Sequence, residues 1–400
     1  MPRSGWRKSE SDRRLPDLVS VGLLMKVFPA DVVDGVIAEC GRTEQRRRSL
    51  PARSMAYFAM GMALHSEGSY EDVLALISDG LAWAHRDEAS PKLANKAAIS
   101  HARDRLGPEP LALLFSRVAV PLASADTPGC WLAGRRLVAI DGTCLDLPDT
   151  VANDSHFGRP GVNKGERSAF PQARVVALAE CGTHAMFEAV IGPYTTSEVA
   201  ASVELLGRLE PGMLCLADRG FYSFKAWQNA ISTGADLLWR VSDTLTLKPV
   251  KDLPDGSWLA EVLANKTERH HQKPVQVRVV SYSIEDGRDP TGPFRLITTL
   301  LNHREAPAEE LAAAYAQRWE IETAFDELKT HQRGARAVLR SKSPELITQE
   351  IWGHLCCHYA IRSLMFDAAA HAGHDPDRVS FVAALRISRR SIAQQGAFPP

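Results

Sequence analysis

The chain has 400 residues, of which 45% are hydrophobic and 24% charged, and its net charge is -1. This length predicts two or three domains with a large core, and the composition is that of a globular protein without low-complexity tracts or repeats. A net charge close to zero excludes nucleic-acid binding through overall positive charge. Any such binding must therefore come from local basic patches.

The sequence also predicts a cytoplasmic protein. No run approaches the roughly 20 apolar residues that span a bilayer, and MPRSGWRKSESDRR at the start lacks the apolar core of a signal peptide. The seven cysteines form no C-x-x-C pair, which favours reduced thiols over a disulfide framework.

The apolar pattern changes three times along the chain. Residues 17 to about 125 have helical periodicity, with prolines that separate the helices. Short β-rich runs and helices then follow, and residues 235–301 contain only strand-like runs. The last part, from ELITQEIWGHLCCHYA onward, is predicted to be helical. We predict a helical N-terminal domain (1–125), an α/β domain (126–350) with a β-rich insertion at about 235–301, and a helical C-terminal segment (351–400).

Two apolar runs of the α/β domain, LVAID and MLCLAD, end in Asp141 and Asp218. Continuous apolar runs are typical of central strands buried on both faces, and ligands of open α/β sheets bind where such strands end. The alternative is that each aspartate only begins the turn that follows it. Asp146, Asp149 and Asp154 lie beyond the first strand in a predicted loop and are weaker candidates.

The segment YAQRWEIETAFDELK, residues 315–329, is predicted to be one amphipathic helix. At about 100° per residue, four polar side chains fall within an arc of about 60° beside its apolar stripe: Tyr315, Arg318, Glu322 and Lys329. The solvent face is assigned to Glu320, Thr323 and Glu327. This arrangement indicates a catalytic carboxylate, Glu322, with neighbours that bind phosphate oxygens. An ion-paired solvent face is the alternative, and Asp326 on the same arc is a second candidate carboxylate.

Three carboxylates from three elements suit phosphoryl transfer assisted by metal ions. Mg²⁺ binds a few carboxylates and keeps several waters. Two such ions about 3.5–4 Å apart can activate the attacking oxygen and stabilise the leaving oxygen. We predict that Asp141 bridges two Mg²⁺ ions and that Asp218 and Glu322 hold one each, with Mn²⁺ as a substitute. A bound water or a 3′-hydroxyl would be the nucleophile.

The spacing Y-x2-R-x3-E-x6-K at residues 315–329 resembles the signature of bacterial insertion-sequence transposases of the DDE class, specifically the insertion-sequence-four family. VAIDGT and LADRGF resemble that family's two Asp motifs, and residues 22–64 resemble its helical N-terminal domain. The likeness covers most of residues 17–345. It implies a ribonuclease-H-like core with a β-rich insertion between the second Asp and the Glu.

The resemblance also implies a function. Members of the family use Mg²⁺ to cut DNA at terminal inverted repeats and to join it to target DNA, as a homodimer on DNA. We therefore expect a DNA transposase that works in the bacterial cytoplasm, at the nucleoid. The family's base-stacking tryptophan in the insertion corresponds to Trp239 or Trp258, although both also suit a hydrophobic core.

Two basic patches are candidates for DNA binding. In GRTEQRRRSLPAR we predict that four arginines bind the transposon end: Arg46, Arg47, Arg48 and Arg53. The alternative is that they pair with Glu44 and other acidic residues of the same domain. The second patch, RGARAVLRSK, contains Arg333, Arg336, Arg340 and Lys342. Tyr315, Arg318 and Lys329 are predicted to bind the phosphate next to the cleavage site.

Three other functions compete with transposition. A metal-dependent nuclease of the same fold would cut DNA without strand transfer, and a glycosidase would use paired carboxylates but no arginines. A DNA-binding protein without catalysis would not need all three acidic positions. Two histidine pairs are discounted as metal sites, His354 and His358 because their helix is apolar, and His270 and His271 because they lie in a polar turn.

Overall fold

The computed structural model describes residues 15–46, 48–85, 94–161, 167–264, 273–283, 294–334 and 338–389. Arg47, His270, His271 and Arg336 lie outside these ranges. The chain divides into a helical unit, residues 1–119, 327–372 and 379–400, and a sheet unit, residues 120–326 and 373–378. None of the described helices is long and apolar enough to cross a membrane.

The described part of the chain contains thirteen α-helices. They are α1 (Leu15–Val27), α2 (Ala30–Glu39), α3 (Ala52–Leu64), α4 (Tyr70–His85), α5 (Lys96–Leu106), α6 (Glu109–Val118), α7 (Val151–Phe157), α8 (Glu198–Leu206), α9 (Phe224–Ile231), α10 (Ala308–Ala316), α11 (Trp319–Asp326), α12 (Pro344–Ala372) and α13 (Phe381–Arg389). Helices α1 to α6 confirm the predicted helical start of the chain, and α12 confirms the predicted helix near its end.

The helical unit is built around α3 and α12. Helix α3 is buried from Met55 to Leu64, as its almost uninterrupted apolar sequence requires. Gly353 lets α12 approach it closely, since a Cβ there would lie 2.5 Å from the carbonyl oxygen of Ala59. The C-terminal helix is therefore part of the same unit as the N-terminal helices. The predicted segment that begins at residue 351 shares its core with the predicted N-terminal domain.

The histidines of α12 have polar partners inside this core. His358 Nε2 lies 3.0 Å from Glu327 Oε2, and Arg362 Nε donates to the same oxygen over 2.9 Å. Burial lowers the pKa of His354 to about 4. Glu327, predicted to face solvent, is thus a buried carboxyl group in contact with two side chains of α12, and that prediction was wrong. The helical wheel places Glu327 on the polar face, but α12 covers that face.

Among its described residues, the sheet unit contains one sheet of ten strands. They are β1 (Trp131–Leu132), β2 (Arg135–Asp146), β3 (Gln172–Glu180), β4 (Met186–Pro193), β5 (Met213–Ala217), β6 (Asp236–Arg240), β7 (Leu247–Asp252), β8 (Trp258–Val262), β9 (Val275–Tyr282) and β10 (Phe294–Thr298). The order is β4-β3-β2-β5-β6-β10-β9-β8-β7, with β1 paired to β2. Strands β2, β5 and β6 are parallel neighbours, and the other neighbouring strands are antiparallel.

The predicted β-rich stretch continues the core sheet. Strand β6 pairs parallel with β5 and antiparallel with β10, so strands β7 to β10 extend the sheet beyond β6. Trp239 on β6 is fully buried and packs edge-on against Trp227, with ring centroids 5.3 Å apart. Trp239 is therefore a core residue. Trp258 on β8 is partly buried.

The predicted single helix at 315–329 is divided into three pieces. Helix α10 ends at Ala316, the amide of Arg318 donates to the carbonyl of Tyr315 over 3.1 Å in a turn, and α11 starts at Trp319. Residues Glu327–Gln332 then form a π-helix. The wheel of about 100° per residue therefore does not hold across the whole segment.

Candidate active site

Asp141 and Asp218 lie side by side because of how β2 pairs with β5. The parallel register ends at Ile140 opposite Ala217, and each aspartate is the next residue of its chain. Asp218 follows the end of β5, as predicted. Asp141 does not end β2, which continues to Asp146 because β3 still pairs with it there. The prediction that this strand stops at Asp141 was wrong, but burial on both faces does stop there.

Arg318 connects Asp141 with Glu322. Its Nη1 lies 3.4 Å from Asp141 Oδ2, and its Nη2 donates to Glu322 Oε1 over 2.8 Å. The Arg318 side chain is only 7% exposed, and its guanidinium stacks on the ring of Trp319 at 4.7 Å. Arg318 therefore brings a carboxylate of β2 and one of α11 into one site. Asp326 is exposed, whereas Glu322 shares this arginine, which favours Glu322 of the two.

The carboxyl of Asp141 is difficult to ionise. Burial raises its pKa to about 6, the Gly142 amide and the Arg318 guanidinium oppose this rise, and the negative charges of Glu322 and Glu198 add to it. A raised pKa in a cleft, with identified neighbours, is typical of functional carboxylates. Asp141 is therefore poised to gain from a nearby cation.

Asp218 and Tyr315 meet at the end of β5. Asp218 Oδ1 is buried without a hydrogen-bond partner among the described residues, and the nearest cation is Arg240 Nη1 at 3.8 Å. Tyr315 is buried and donates its hydroxyl to the carbonyl of Ala217 at 3.4 Å. Tyr315 thus supports the strand end that carries Asp218, and its contact with phosphate stays a prediction.

The three carboxylates suit a divalent cation in their chemistry. They supply the oxygen ligands that Mg²⁺ prefers, and Asp218 Oδ1 has no hydrogen-bond partner among the described residues. Within the described ranges, no three His, Cys, Asp or Glu side chains are close enough to bind one metal ion together. Asp141, Asp218 and Glu322 therefore do not form a closed group of three ligands here, and a metal ion would also need ligands from water and substrate phosphates.

Two residues near the site were not predicted from the sequence. Glu198, the first residue of α8, lies against Gly142, where an added Cβ would be 3.1 Å from its Cγ, and it pairs with Arg174 at 2.5 Å. Trp319 is 57% exposed, which is unusual for an indole and offers a flat surface of the kind on which nucleic-acid bases stack. The exposure of Trp319 beside Arg318 is the feature that suggests contact with DNA bases. The sequence does not show which side chains are exposed, so this residue was not predicted.

The weaker aspartate candidates are engaged elsewhere. Arg159 pairs with Asp149 and, at 2.9 Å, with Asp154, and Asp146 accepts a hydrogen bond from Gln172 at 2.8 Å. Asp146 is the last residue of β2 and Asp154 lies in α7, so the prediction that both lie in a loop beyond the strand was wrong. The pairing of β2 with β3 extends the strand to Asp146.

The basic patches differ from one another. Arg46 and Arg48 are exposed, but Arg53 pairs with Asp34, so part of the patch is neutralised within the helical unit. In the second patch Arg333 is buried, and Arg340 donates to the carbonyls of His65, Ser66 and Gly68. Lys329 is exposed on the π-helix of the helical unit. Its place beside the cleaved phosphate stays a prediction.

Comparisons with known proteins identify the family of this chain. The family described as "Insertion element 4 transposase N-terminal" matches residues 18–116, and the family described as "Transposase DDE domain" matches residues 132–360. The chain is similar to the transposase InsG for insertion sequence element IS4 of Escherichia coli (strain K12), with 28% identity over 376 residues, 92% of this chain and 82% of that protein.

A solved structure is also similar, although distantly. It is the cryo-EM structure of a piggyBac transposase synaptic complex with hairpin DNA, at a TM-score of 0.46 and 10% identity, covering 95% of this chain and 82% of that one. The match of the DDE domain family to residues 132–360 confirms the predicted ribonuclease-H-like fold class.

The pKa of Asp141 gives a testable prediction about stability. In the folded state its pKa is about 6, whereas a free aspartate titrates near about 3.9. Its ionisation therefore costs no stability below the lower value, and the full cost is present above the higher value. In EDTA, Asp141→Asn should raise Tm. The gain in unfolding free energy should be larger at about pH 7.5 than at about pH 5, by on the order of 1 kcal/mol.

Thermal unfolding at both pH values measures this effect. The control is Asp149→Asn, which removes an exposed carboxylate. An equal change in Tm at both pH values for Asp141→Asn would contradict the raised pKa.

Proposed function

Because the chain belongs to the DDE transposases of the insertion element 4 family, we propose that it cuts DNA at terminal inverted repeats and joins it to target DNA. It is an enzyme that acts on DNA. The proposal rests chiefly on one observation: Asp141 and Asp218 are neighbours across two parallel strands, and Arg318 links Asp141 to Glu322.

The DDE domain implies dependence on a divalent metal. We propose that the metal is Mg²⁺, replaceable by Mn²⁺, with two ions per site, and that Asp141, Asp218 and Glu322 would hold them. When bound, the ions would activate the attacking oxygen and stabilise the leaving oxygen of the phosphodiester. The desolvated carboxylate of Asp141, with its raised pKa, supports this role because a cation would favour its ionised form.

We propose that further side chains hold the DNA backbone. Arg318 has a planar fork of donors that fits phosphate oxygens, and Lys329 supplies an exposed point charge. Trp319 is exposed beside Arg318 and would stack on a base near the cleaved bond. Tyr315 would act mainly by holding the end of β5, to which it is hydrogen-bonded.

The transposon end would be bound by the helical unit. Arg46 and Arg48 are its exposed charges in the predicted patch, and we include Arg47 from the sequence. Arg53 would add less, because Asp34 already balances its charge. DNA is the partner that the family implies. We further propose that the protein works as a homodimer on DNA, at the nucleoid in the cytoplasm.

The carboxylates can be tested one by one. Asp141→Asn, Asp218→Asn and Glu322→Gln should each lower DNA cleavage by at least about a thousandfold and leave binding of the transposon end within about twofold, because each removes a charge that a metal needs. Cleavage of end DNA and a gel-shift assay measure the two effects. Asp326→Asn, on the exposed side of α11, is the matched control and should cut normally.

The opposite result would show that the third carboxylate is assigned to the wrong residue. If Asp326→Asn abolished cleavage and Glu322→Gln did not, the assignment of Glu322 would be refuted. A strand-transfer assay with a pre-cut 3′-hydroxyl end separates transposition from simple nuclease activity. The proposal requires joined product in this assay.

The arginine patch should act on binding rather than on chemistry. Arg46→Ala with Arg48→Ala removes two exposed charges, so the log–log salt dependence of end binding should flatten by up to about 2. Binding constants at several salt concentrations measure the slope. Arg117→Ala is the control, because Arg117 already pairs with Glu39 at 2.6 Å in the same unit. An unchanged affinity and slope would mean that the end is bound elsewhere.

A further inference from the structure

Glu320 contacts a turn of the sheet instead of solvent. Its side chain is 16% exposed, the backbone N–H of Gly182 donates to its Oε2, and His184 Nε2 lies 3.7 Å from the same oxygen. The helical wheel predicts that Glu320 lies on the solvent face, and that prediction was wrong. The wheel cannot show that the turn between β3 and β4 covers this side of α11.

The turn that receives Glu320 is held in an unusual backbone conformation. His184 has φ 55 and Gly182 has φ 79, both in the left-handed region. An added Cβ at Gly182 would lie 2.5 Å from Cys130 Sγ and 2.7 Å from the carbonyl oxygen of Pro128, so only glycine fits. A left-handed, buried histidine persists only where its surroundings fix it, and such positions concentrate at functional sites.

The surroundings of His184 fix it from two directions. Its Nε2 lies 3.1 Å from Asp377 Oδ1, in the part of the sheet unit formed by residues 373–378. Glu180, at the start of the turn, is fully buried and accepts hydrogen bonds from Thr183 Oγ1 at 2.6 Å and from the amides of Leu122 and Ala123 at 2.8 Å. The turn is therefore a rigid support for whatever binds to it.

The support and the site lie on opposite sides of one helix. Glu320 and Glu322 are two residues apart, about 200° around the helix axis. Glu320 faces the β3–β4 turn, and Glu322 faces Arg318 and Asp141. With side chains about 5–6 Å from the axis, a rotation of α11 by about 10° would move the Glu322 carboxylate by about 1 Å. A misplacement of about 1 Å can slow catalysis by about a hundredfold.

We propose that Glu320 is a positioning residue that fixes the rotation of α11, and so the place of Glu322, through the clamp formed by Gly182 and His184. This inference rests on the proposed function of Glu322 as a metal ligand. Helix α11 packs against β2 and β3, with Ile321, Ala324 and Phe325 buried. Apolar contacts are less specific in direction than a hydrogen bond to a rigid turn, so the clamp supplies the orientation.

The test compares variants that keep or remove the clamp. Glu320→Gln keeps an acceptor for the Gly182 amide, Glu320→Ala removes it, and His184→Asn keeps a residue that tolerates the left-handed conformation but removes the imidazole. Glu310→Ala, at an exposed glutamate of α10, is the matched control. Mn²⁺ binding is measured by calorimetry. Cleavage is measured in single turnovers at saturating end DNA, and binding of end DNA is measured by gel shift.

Glu320→Ala should weaken Mn²⁺ binding by about tenfold and slow cleavage by about ten- to a hundredfold, with end binding unchanged. Glu320→Gln should show only a small part of both losses. The losses in His184→Asn should be intermediate between those of Glu320→Gln and Glu320→Ala. A purely structural role would lower Tm and leave Mn²⁺ affinity unchanged. Mn²⁺ affinity and cleavage in Glu320→Ala within about twofold of the Glu310→Ala control would overturn the proposal.

The outcome separates this inference from the proposed function. If Glu320→Ala does not fold, Glu320→Gln and His184→Asn carry the test, because the clamp predicts a loss in His184→Asn that exceeds any loss in Glu320→Gln. If Glu322→Gln itself keeps full Mn²⁺ affinity and cleavage, the proposed function of Glu322 fails. If Glu322→Gln is inactive while the clamp variants match the control, only the positioning role fails.

Discussion

Strands β2 and β5 run parallel and in register up to Ile140 and Ala217, and the position of the candidate active site follows from that pairing. Because both chains arrive together at the edge of the buried layer, Asp141 and Asp218 leave it side by side. The apolar runs that precede them fill the interior on both faces of the sheet. The same hydrophobic burial that stabilises the core therefore delivers two carboxylates to one edge.

The third carboxylate, Glu322, comes from a helix, and its position depends on more interactions than the positions of Asp141 and Asp218 do. Arg318 lies in the turn before α11, nearly buried, and binds both Asp141 and Glu322. A guanidinium between two carboxylates reduces their repulsion, yet burial still keeps the pKa of Asp141 near 6. The site is thus arranged for more positive charge than Arg318 alone supplies, which is the electrostatic condition for binding divalent metal.

Much of this site could be predicted from the sequence, because its signals are local. The apolar runs before Asp141 and Asp218, and the spacing of Arg318 and Glu322, depend on residues close together in the chain. The division of residues 315–329 could not be predicted, since no glycine or proline marks the turn at Arg318. The burial of Glu320 and Glu327 depends on the β3–β4 turn and on α12, which are distant in sequence. Periodicity places a residue on a face but does not identify what packs there.

The central claim is that Asp141, Asp218 and Glu322 ligate the metal that cleaves DNA, and ligand softness tests it most directly. Cysteine at a ligand position should abolish cleavage in Mg²⁺ but retain part of it in Mn²⁺, because thiolate binds the softer ion better. We expect this change of metal preference for Asp141→Cys and Asp218→Cys, with Asp326→Cys active in both metals. Equal cleavage in Mg²⁺ and Mn²⁺ by Asp141→Cys and Asp218→Cys would contradict the account.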